Sequence, residues 1–310
     1  MPGSYPFPVD PVLTGLAIAY QNRKCIADEV LPRVPVGKSE FKWWKYDFAE
    51  SITIPDTRVG RRSKPNEVEF SATEQTSSTD DYGLDDPIPQ KDIDNAPPNF
   101  SPVKRAVEGI TDLIVLDREA RVASQVFNLN AFPAGQRTTL SGASQFSDYT
   151  NSDPITVIMQ ALDIPIMRPN ILVFGQGAWT VLRMHPKVVS SVNKNNSNAG
   201  VVSREELADK LEVDEILVGM ALVNNARKGQ APSIVKAWGK DMAALYRNRL
   251  ATNTSGVTFG FTAQHGDRVA GQWEDKDIGL KGGVRVRAGE EVKEVICAPD
   301  CGYLFKNSVA

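Results

Sequence analysis

The feature that most constrains the fold is one long helical pattern that follows a proline-rich linker. Apolar side chains recur at helical spacing through residues 102–127, and a helix of that length is roughly 39 Å long at 1.5 Å per residue. Ser101 and Pro102 form an N-cap and first-turn pair, and only Gly109 interrupts the pattern. The pattern predicts a spine helix against which the rest of the chain packs. Its apolar residues are Val103, Ala106, Val107, Ile110, Leu113 and Ile114.

The sequence on either side of this helix mixes strands with short helices, which predicts an α+β fold. Asp153 is a candidate N-cap for a helix that ends near residue 162, and Ser203 with Glu206 is a candidate capping box. The apolar run at 171–174 is typical of a buried strand. The end of the chain alternates strands and turns, so we expect it to be mostly sheet.

Two strand patterns flank a polar, basic stretch and together predict a long β-hairpin over residues 41–78. In the first strand Trp44, Tyr46 and Phe48 fall on one face, and residues 67–73 alternate apolar and polar side chains. A two-stranded hairpin alone is only marginally stable in water. We therefore expect a surface outside the hairpin's own fold to cover it, and a neighbouring copy of the chain is the first candidate.

Charge is segregated along this part of the chain. The hairpin tip carries the basic residues Arg58, Arg61, Arg62 and Lys64, whereas residues 65–100 carry nine acidic side chains and a single lysine. Opposite charges separated in this way favour contact between copies, with the basic tip of one over an acidic patch of the next. The three aromatic side chains of the first strand would cover apolar surface there. A solvated tip is the alternative, because exposed ion pairs contribute only about 0 to 1 kcal/mol each.

Composition excludes several classes of protein. Hydrophobic residues make up 41% of the 310 residues and charged residues 24%, values that exclude a disordered chain, a collagen and a coiled-coil rod. The net charge of -3 is unsuited to wrapping a phosphate backbone. No apolar run reaches the roughly 18 residues that suggest a membrane span. We expect no membrane partner and no specific binding of nucleic acid.

One motif is reminiscent of a nucleotide-binding turn. Gly175 and Gly177 follow a predicted strand and open a helix, as in a dinucleotide fingerprint. The third glycine position is Thr180, and no carboxylate follows about 20 residues later, where ribose recognition would need one. The glycines are therefore interpreted as serving a tight turn, and no cofactor is predicted.

The remaining chemistry-bearing residues are too few or too scattered for a catalytic or metal site. His185 and His265 lack a nearby nucleophile motif, and Cys297 and Cys301 lack further ligands for a metal. The acidic run at 80–94 lacks the glycine and final glutamate of an EF-hand loop, so it is interpreted as solvated surface. We predict reduced thiols and no catalytic, cofactor-binding or metal-binding residue.

Four sequence strings and the order of the parts carry a resemblance to a known family. The strings are TLSGASQFSDYTNSDPI at 139–155, PNILVFGQGAWTVLRMHPKV at 169–188, REELADKLEVDEILVGMALVNNA at 204–226 and CGYLFKNSVA at 301–310. Together with an N-terminal arm, a long hairpin and a spine helix, they make the chain resemble the major capsid proteins of tailed bacteriophages. The resemblance covers most of the chain and is best beyond residue 100.

The resemblance implies the fold named after Hong Kong phage ninety-seven, with four parts. The N-terminal arm would span 1–40, the extended loop 41–80, the peripheral domain 81–153 with 266–310, and the axial domain 154–265. The spine helix would lie in the peripheral domain, and loops of the axial domain would meet at the centres of capsomers.

The resemblance also implies a structural function without catalysis. The chain would form pentamers and hexamers of an icosahedral shell that encloses double-stranded DNA, would be assembled in the cytoplasm of a bacterial host and would become part of the virion. A scaffold protein is expected to be separate, because the sequence begins at Met1 without a charged leader. Portal and decoration proteins are further expected partners. Two alternatives remain, an encapsulin-like compartment and an enzyme that uses the turn at Gly175.

Overall fold

The described residues fold into two five-stranded sheets joined by one long helix, with two separate two-stranded sheets, one of which is the hairpin. The predicted α+β class is confirmed. In chain order the helices are α1 (Pro11–Ala19), α2 (Ala27–Val30), α3 (Gln90–Asp94), α4 (Pro102–Val126), α5 (Pro154–Leu162), α6 (Gln176–Leu182), α7 (Pro186–Val192) and α8 (Arg204–Leu211). The strands are β1 (Arg33–Val36), β2 (Glu40–Tyr46), β3 (Ala72–Ser78), β4 (Asp80–Pro89), β5 (Arg137–Thr139), β6 (Ile171–Gly175), β7 (Glu215–Gly219), β8 (Leu222–Asn224), β9 (Ile234–Lys236), β10 (Met242–Leu245), β11 (Gly260–His265), β12 (Val269–Asp275), β13 (Gly283–Ile296) and β14 (Gly302–Lys306). The computed structural model describes residues 7–19, 25–46, 53–68, 72–192, 200–227 and 229–310.

The spine helix α4 forms as the sequence predicts. The Ser101 hydroxyl accepts a hydrogen bond from the Lys104 backbone N–H at 3.3 Å, and Phe127 ends the helix. The predicted capping residues Asp153 and Ser203 also accept hydrogen bonds at the starts of α5 and α8. One expectation is wrong: Leu113, which the pattern assigns to the apolar stripe, is 56% exposed.

The first sheet is built around the long strand β13. On one edge β13 pairs with β4, and on the other it pairs with β11 and β12, which are two halves of one bent strand. Between the two halves, residues 265–268 lie opposite residues 290–291, so the bent strand carries a β-bulge in which Gly266 has a φ of +70°. The expectation of strands and turns at the end of the chain did not locate β12 or this bulge.

The second sheet has the strand order β5, β14, β10, β6, β7 and is covered on both faces. Leu172 and Phe174 of β6 pack into a core formed with helices α5 to α8, whereas Ile171 and Val173 pack against the C-terminal half of the spine helix. Burial on both faces explains why this strand reads as a continuous apolar run in the sequence.

The two sheets do not coincide with the segments that the resemblance suggests. Strand β11 lies in the predicted axial segment 154–265 but pairs in the first sheet with β13, and β14 lies in the predicted peripheral segment 266–310 but pairs in the second sheet with β10. Each of these strands completes the sheet of the other segment, because its pairing partner lies far away in the sequence. Within the described ranges, no helix is long and apolar enough to cross a membrane.

The buried carboxylate of Glu119 connects the spine helix to the start of α2 and to Trp238. Glu119 is 0% exposed and accepts hydrogen bonds from the backbone N–H groups of Ile26 and Ala27, at 2.9 and 2.7 Å, and from the indole of Trp238. It therefore takes the place of an N-cap for the short helix α2. Burial raises the pKa of Glu119, although the hydrogen bonds from Ile26 and Trp238 act in the opposite direction.

A charged network surrounds Arg118, the residue that precedes Glu119 in the spine helix. The buried Glu290 of β13 lies 2.9 Å from Arg33 and 2.8 Å from Arg268, and the buried Arg118 pairs with Asp28. Burial alone would raise the pKa of Glu290, but the charges of Arg33 and Arg268 outweigh it and hold the pKa below its usual range. Because Arg33 also lies 2.7 Å from Asp28, the network links β1 and the β-bulge to the helix.

His185 is a buried structural histidine. Its Nδ1 accepts a hydrogen bond from the Lys187 backbone N–H at 3.2 Å, and its Nε2 lies 3.0 Å from the Ser152 hydroxyl. Because Nδ1 is an acceptor, the ring is neutral and Nε2 carries the proton. Burial, assisted by the charge of Lys187, lowers the pKa of His185.

Replacing Glu119 by Ala is expected to lower the free energy of unfolding by about 3 kcal/mol, because three buried donors lose their acceptor. Urea denaturation of the unassembled chain, followed by tryptophan fluorescence, measures the change. Glu108→Ala, on an exposed position of the same helix, is the control and should change stability by less than about 0.5 kcal/mol. Equal stabilities of the two variants would show that the Glu119 hydrogen bonds do not hold the fold together.

The neutral His185 should make the chain less stable in acid. Its pKa in the folded state lies below the unfolded value of about 6.5, so below that pH the unfolded state binds more protons and stability falls. The stability advantage of the wild type over His185→Gln should shrink by about 1 kcal/mol between pH 7 and pH 5. Parallel denaturation curves at both pH values measure it, and a pH-independent difference would contradict the assignment.

Candidate assembly surfaces

The predicted hairpin forms, with a shifted second strand. Strands β2 and β3 are antiparallel, with Glu40 opposite Ser78 and Tyr46 opposite Ala72. The predicted second strand, residues 67–73, overlaps β3 only at residues 72 and 73. Val68 lies outside any strand and is 60% exposed.

The two faces of the hairpin differ in burial. Phe41 is buried in a small core against the first sheet, and Trp43 packs on the same core. Trp44 lies on the opposite side of the ribbon and is 40% exposed. Of the other aromatic residues predicted for this face, Tyr46 is the last residue of β2 and its side chain is not described, whereas Phe48 lies outside the described residues.

The tip of the hairpin brings the predicted basic residues together. Every residue from 53 to 68 is exposed. The Asn66 side chain donates to the carbonyl oxygen of Asp56 at 2.7 Å, and the Ser63 backbone N–H donates to Gly60 at 3.0 Å, so the segment folds back on itself. No ion pair to this basic tip occurs among the described residues. The basic tip consists of Arg58, Arg61, Arg62 and Lys64.

The acidic segment is not simply solvated surface, as the sequence suggested. Much of it is strand β4, which pairs with β13: Arg287 makes a two-point contact with Asp85, the longer bond being 2.6 Å, and Lys293 lies 2.8 Å from Asp80. These contacts hold the pKa of Asp85 below its usual range, chiefly through the hydrogen bond from Arg287. The first sheet therefore neutralises part of the acidic segment.

Between β4 and the first half of the spine helix runs an open groove of about 690 Å³. Three large apolar side chains at its edges, Leu84, Phe100 and Leu113, are 43%, 42% and 56% exposed. Asp86 and Asp92 add negative charge to the lining, which also includes the single basic residue Arg105. Gly109 is also part of the lining, and a Cβ atom at this position would meet nothing within 4 Å. We call this surface the β4–spine groove.

Of the two glycines in the turn that is reminiscent of a nucleotide-binding motif, Gly175 has a structural task. A Cβ atom on Gly175 would lie 2.3 Å from the backbone oxygens of Trp238 and Gly239, so this glycine permits a close approach of two chain segments rather than the tight turn predicted. Gly177 has ordinary contacts only. In the part of the chain that the structure describes, no three His, Cys, Asp or Glu side chains form a group that could hold a metal ion.

The three cysteines are free thiols. Burial raises the pKa of Cys25 and Cys297 to about 12 and that of Cys301 to about 11. Thiols in this range carry little thiolate at neutral pH and are poor nucleophiles.

Sequence reasoning found the basic tip but missed the groove that completes the candidate surfaces. One signal was available, because Gly109 interrupts a long helix where alanine would stabilise it by about 0.5 to 1 kcal/mol. The exposure of Leu84 and Phe100 had no comparable signal, since it depends on how β4 lies against the helix.

Comparisons with known proteins support the predicted class. The chain is 56% identical over 305 residues, 98% of both chains, to the major capsid protein of Pseudomonas phage JBD67. It is 28% identical over 311 residues, 96% of this chain and 95% of the other, to the major capsid protein of Burkholderia phage BcepMu. No protein-family model matches the chain.

Solved structures confirm the predicted capsid fold. A phage-related protein from Bordetella bronchiseptica matches with a TM-score of 0.75 and 21% identity over 98% of each chain. The capsid of cyanophage P-SCSP1u matches at 0.61 and 11%, covering 93% of this chain and 89% of the other. An encapsulin from Synechococcus elongatus matches at 0.56 and 9%, covering 96% and 95%. Because its sequence matches a named capsid protein closely from end to end, the chain belongs to the family of bacteriophage major capsid proteins.

Proposed function

We propose that copies of this chain assemble into pentamers and hexamers of a closed icosahedral shell that encloses double-stranded DNA. The observation that carries the proposal is the hairpin, whose basic tip extends away from the core with every described residue from 53 to 68 exposed. Ile54, in this segment, is 90% exposed. Such a segment gains stability only when a partner surface covers it.

The β4–spine groove of a neighbouring copy is the partner surface with the matching chemistry. It offers exposed apolar edges for residues such as Ile54 and Val59, and the carboxylates of Asp86 and Asp92 for the arginines of the tip. A Cβ atom at Gly109 would meet nothing within 4 Å, so nothing in its own chain requires a glycine at this position of the lining. A basic tip and an acidic groove on one chain make a head-to-tail contact, the type that closes into rings.

The charge of the chain favours DNA that is enclosed rather than bound specifically. With a net charge of -3, the subunit as a whole repels phosphate at short range. The protein would therefore have no catalytic task, and DNA would be driven into the shell by a separate machine.

Further partners are proposed from the family membership alone. They are a scaffold protein that guides assembly, a portal and decoration proteins, with assembly in the cytoplasm of the bacterial host and incorporation into the virion. An encapsulin-like compartment remains the second candidate, because an encapsulin shares the fold. An enzyme cargo inside purified shells would favour it, whereas the 56% identity to a phage capsid protein favours the first.

The purified chain, alone or with its scaffold, is expected to form closed shells built from five-fold and six-fold units. Analytical ultracentrifugation and electron microscopy measure this directly. A compact monomer that persists at high concentration in the presence of scaffold would contradict the proposal.

The double variant Arg61→Glu, Arg62→Glu should lower the yield of shells about tenfold in low salt, because it places like charges against the acidic groove. The effect should fade as salt screens the charges. Lys276→Glu with Lys281→Glu is the matched control, since it makes the same change of net charge in another exposed loop.

A second charge reversal, Asp86→Lys with Asp92→Lys, should restore the yield of the tip variant if the contact is with the groove. Shells that form normally from the tip variant in low salt would rule out the electrostatic contact and leave the shell function intact. A defect that the reversal of Asp86 and Asp92 does not relieve would place the tip on another surface.

A further inference from the structure

The two legs of the hairpin meet at a pair of hydroxyl residues where they enter the first sheet. Thr79 stands between β3, which pairs within the hairpin, and β4, which pairs with β13. Its backbone N–H donates to the carbonyl oxygen of Ser39 at 2.9 Å, and its hydroxyl lies 3.0 Å from the Ser39 hydroxyl. Thr79 is only 8% exposed.

One carboxylate of the sheet connects this root to the β-bulge. The Thr79 hydroxyl donates to Oε1 of Glu291 on β13, and Nδ1 of His265 lies 2.8 Å from Oε2 of the same side chain. Burial alone would raise the pKa of Glu291, but hydrogen bonds from Thr79 and His265 outweigh it and lower the pKa. The carboxylate is therefore held charged between the hairpin and the bulge.

The β-bulge supplies the second half of this contact. Residues 265–268 face residues 290–291, and the extra length turns His265 to Glu291 and Arg268 to Glu290. Bulges commonly redirect side chains in this way.

The other contacts of the hairpin lie along β2. Phe41 and Trp43 pack on a small core with the first sheet, and the Asn253 side chain donates to the carbonyl oxygen of Lys42 at 3.2 Å. The exposed Trp44 and Lys45 line a small pocket with residues of the segments 256–258 and 297–301. The Thr79 contact therefore fixes the β3 side of the hairpin at its root.

We propose that Glu291 is a latch that fixes the angle at which the hairpin leaves the sheet. The end of β2 lies roughly 23 Å from the root at 3.3 Å per residue, so a change of about 10° moves it by about 4 Å. That displacement exceeds the range of a hydrogen bond. The latch thereby sets where the basic tip meets a neighbouring copy, a consequence that rests on the proposed function.

Hydrogen exchange of the unassembled full chain tests the latch without any shell. Thr79→Val removes the hydroxyl at nearly constant shape, and Glu291→Ala removes the shared acceptor. Peptides that span β2 and β3 should exchange about tenfold faster in both variants, while peptides from β6 and β7 keep their wild-type rates. Glu274→Ala, an exposed carboxylate of the same sheet, is the matched control and should change neither.

Electron microscopy of assemblies from the same variants tests the consequence. Shells of irregular curvature are expected from Thr79→Val and Glu291→Ala, and regular shells from Glu274→Ala. Wild-type exchange of β2 and β3 in both latch variants would overturn the latch, whatever their assemblies look like. Faster exchange with regular shells would overturn its role in assembly. Failure of the wild-type chain to form shells would instead overturn the proposed function.

Discussion

The buried carboxylate of Glu119 is the contact on which the arrangement of both sheets depends. It accepts hydrogen bonds from the segment that begins α2 and from Trp238, which leads into the second sheet. A buried carboxylate is costly unless its oxygens are hydrogen-bonded, so these three parts of the chain are fixed at one point. The preceding residue, Arg118, pairs with Asp28 and donates to the Thr262 hydroxyl at 2.8 Å, which fixes the first sheet to the same helix. The spine helix thus carries both sheets.

This rigid centre contrasts with a surface that is incomplete in a single copy. The second sheet buries both of its faces, and the C-terminal half of the spine helix is covered by it. The N-terminal half of the helix packs against the first sheet and α1, and it also borders an open groove edged by exposed Leu84, Phe100 and Leu113. The same chain extends a hairpin whose tip is exposed throughout. The chain buries its core but leaves these two surfaces uncovered. A member of the major capsid protein family with this arrangement is suited to repeated contact with its own copies.

The charged side chains of the first sheet and of the hairpin have two separate tasks. Pairs such as Arg287 with Asp85 join neighbouring strands inside one chain, which is why the acidic segment proved to be partly neutralised. The basic tip has no such partner among the described residues, and its charge remains available to another copy. Glu291 stands between these two cases, since it belongs to the sheet but contacts the root of the hairpin through Thr79.

Local chemistry determined a large part of this structure from the sequence alone. The spine helix, its Ser101 cap, the buried strand at 171–174 and the hairpin all follow from side-chain periodicity and capping, which depend on residues a few positions apart. The sequence also carried the resemblance that predicted the capsid fold, and the segregation of charge that singled out the tip. Only the tertiary structure decided which acidic side chains are neutralised and why no residue larger than glycine fits at Gly175. It also decided where the β-bulge lies and that Leu113 borders a groove. Each of these depends on contacts between residues far apart in the chain, and no local pattern of side chains encodes such contacts.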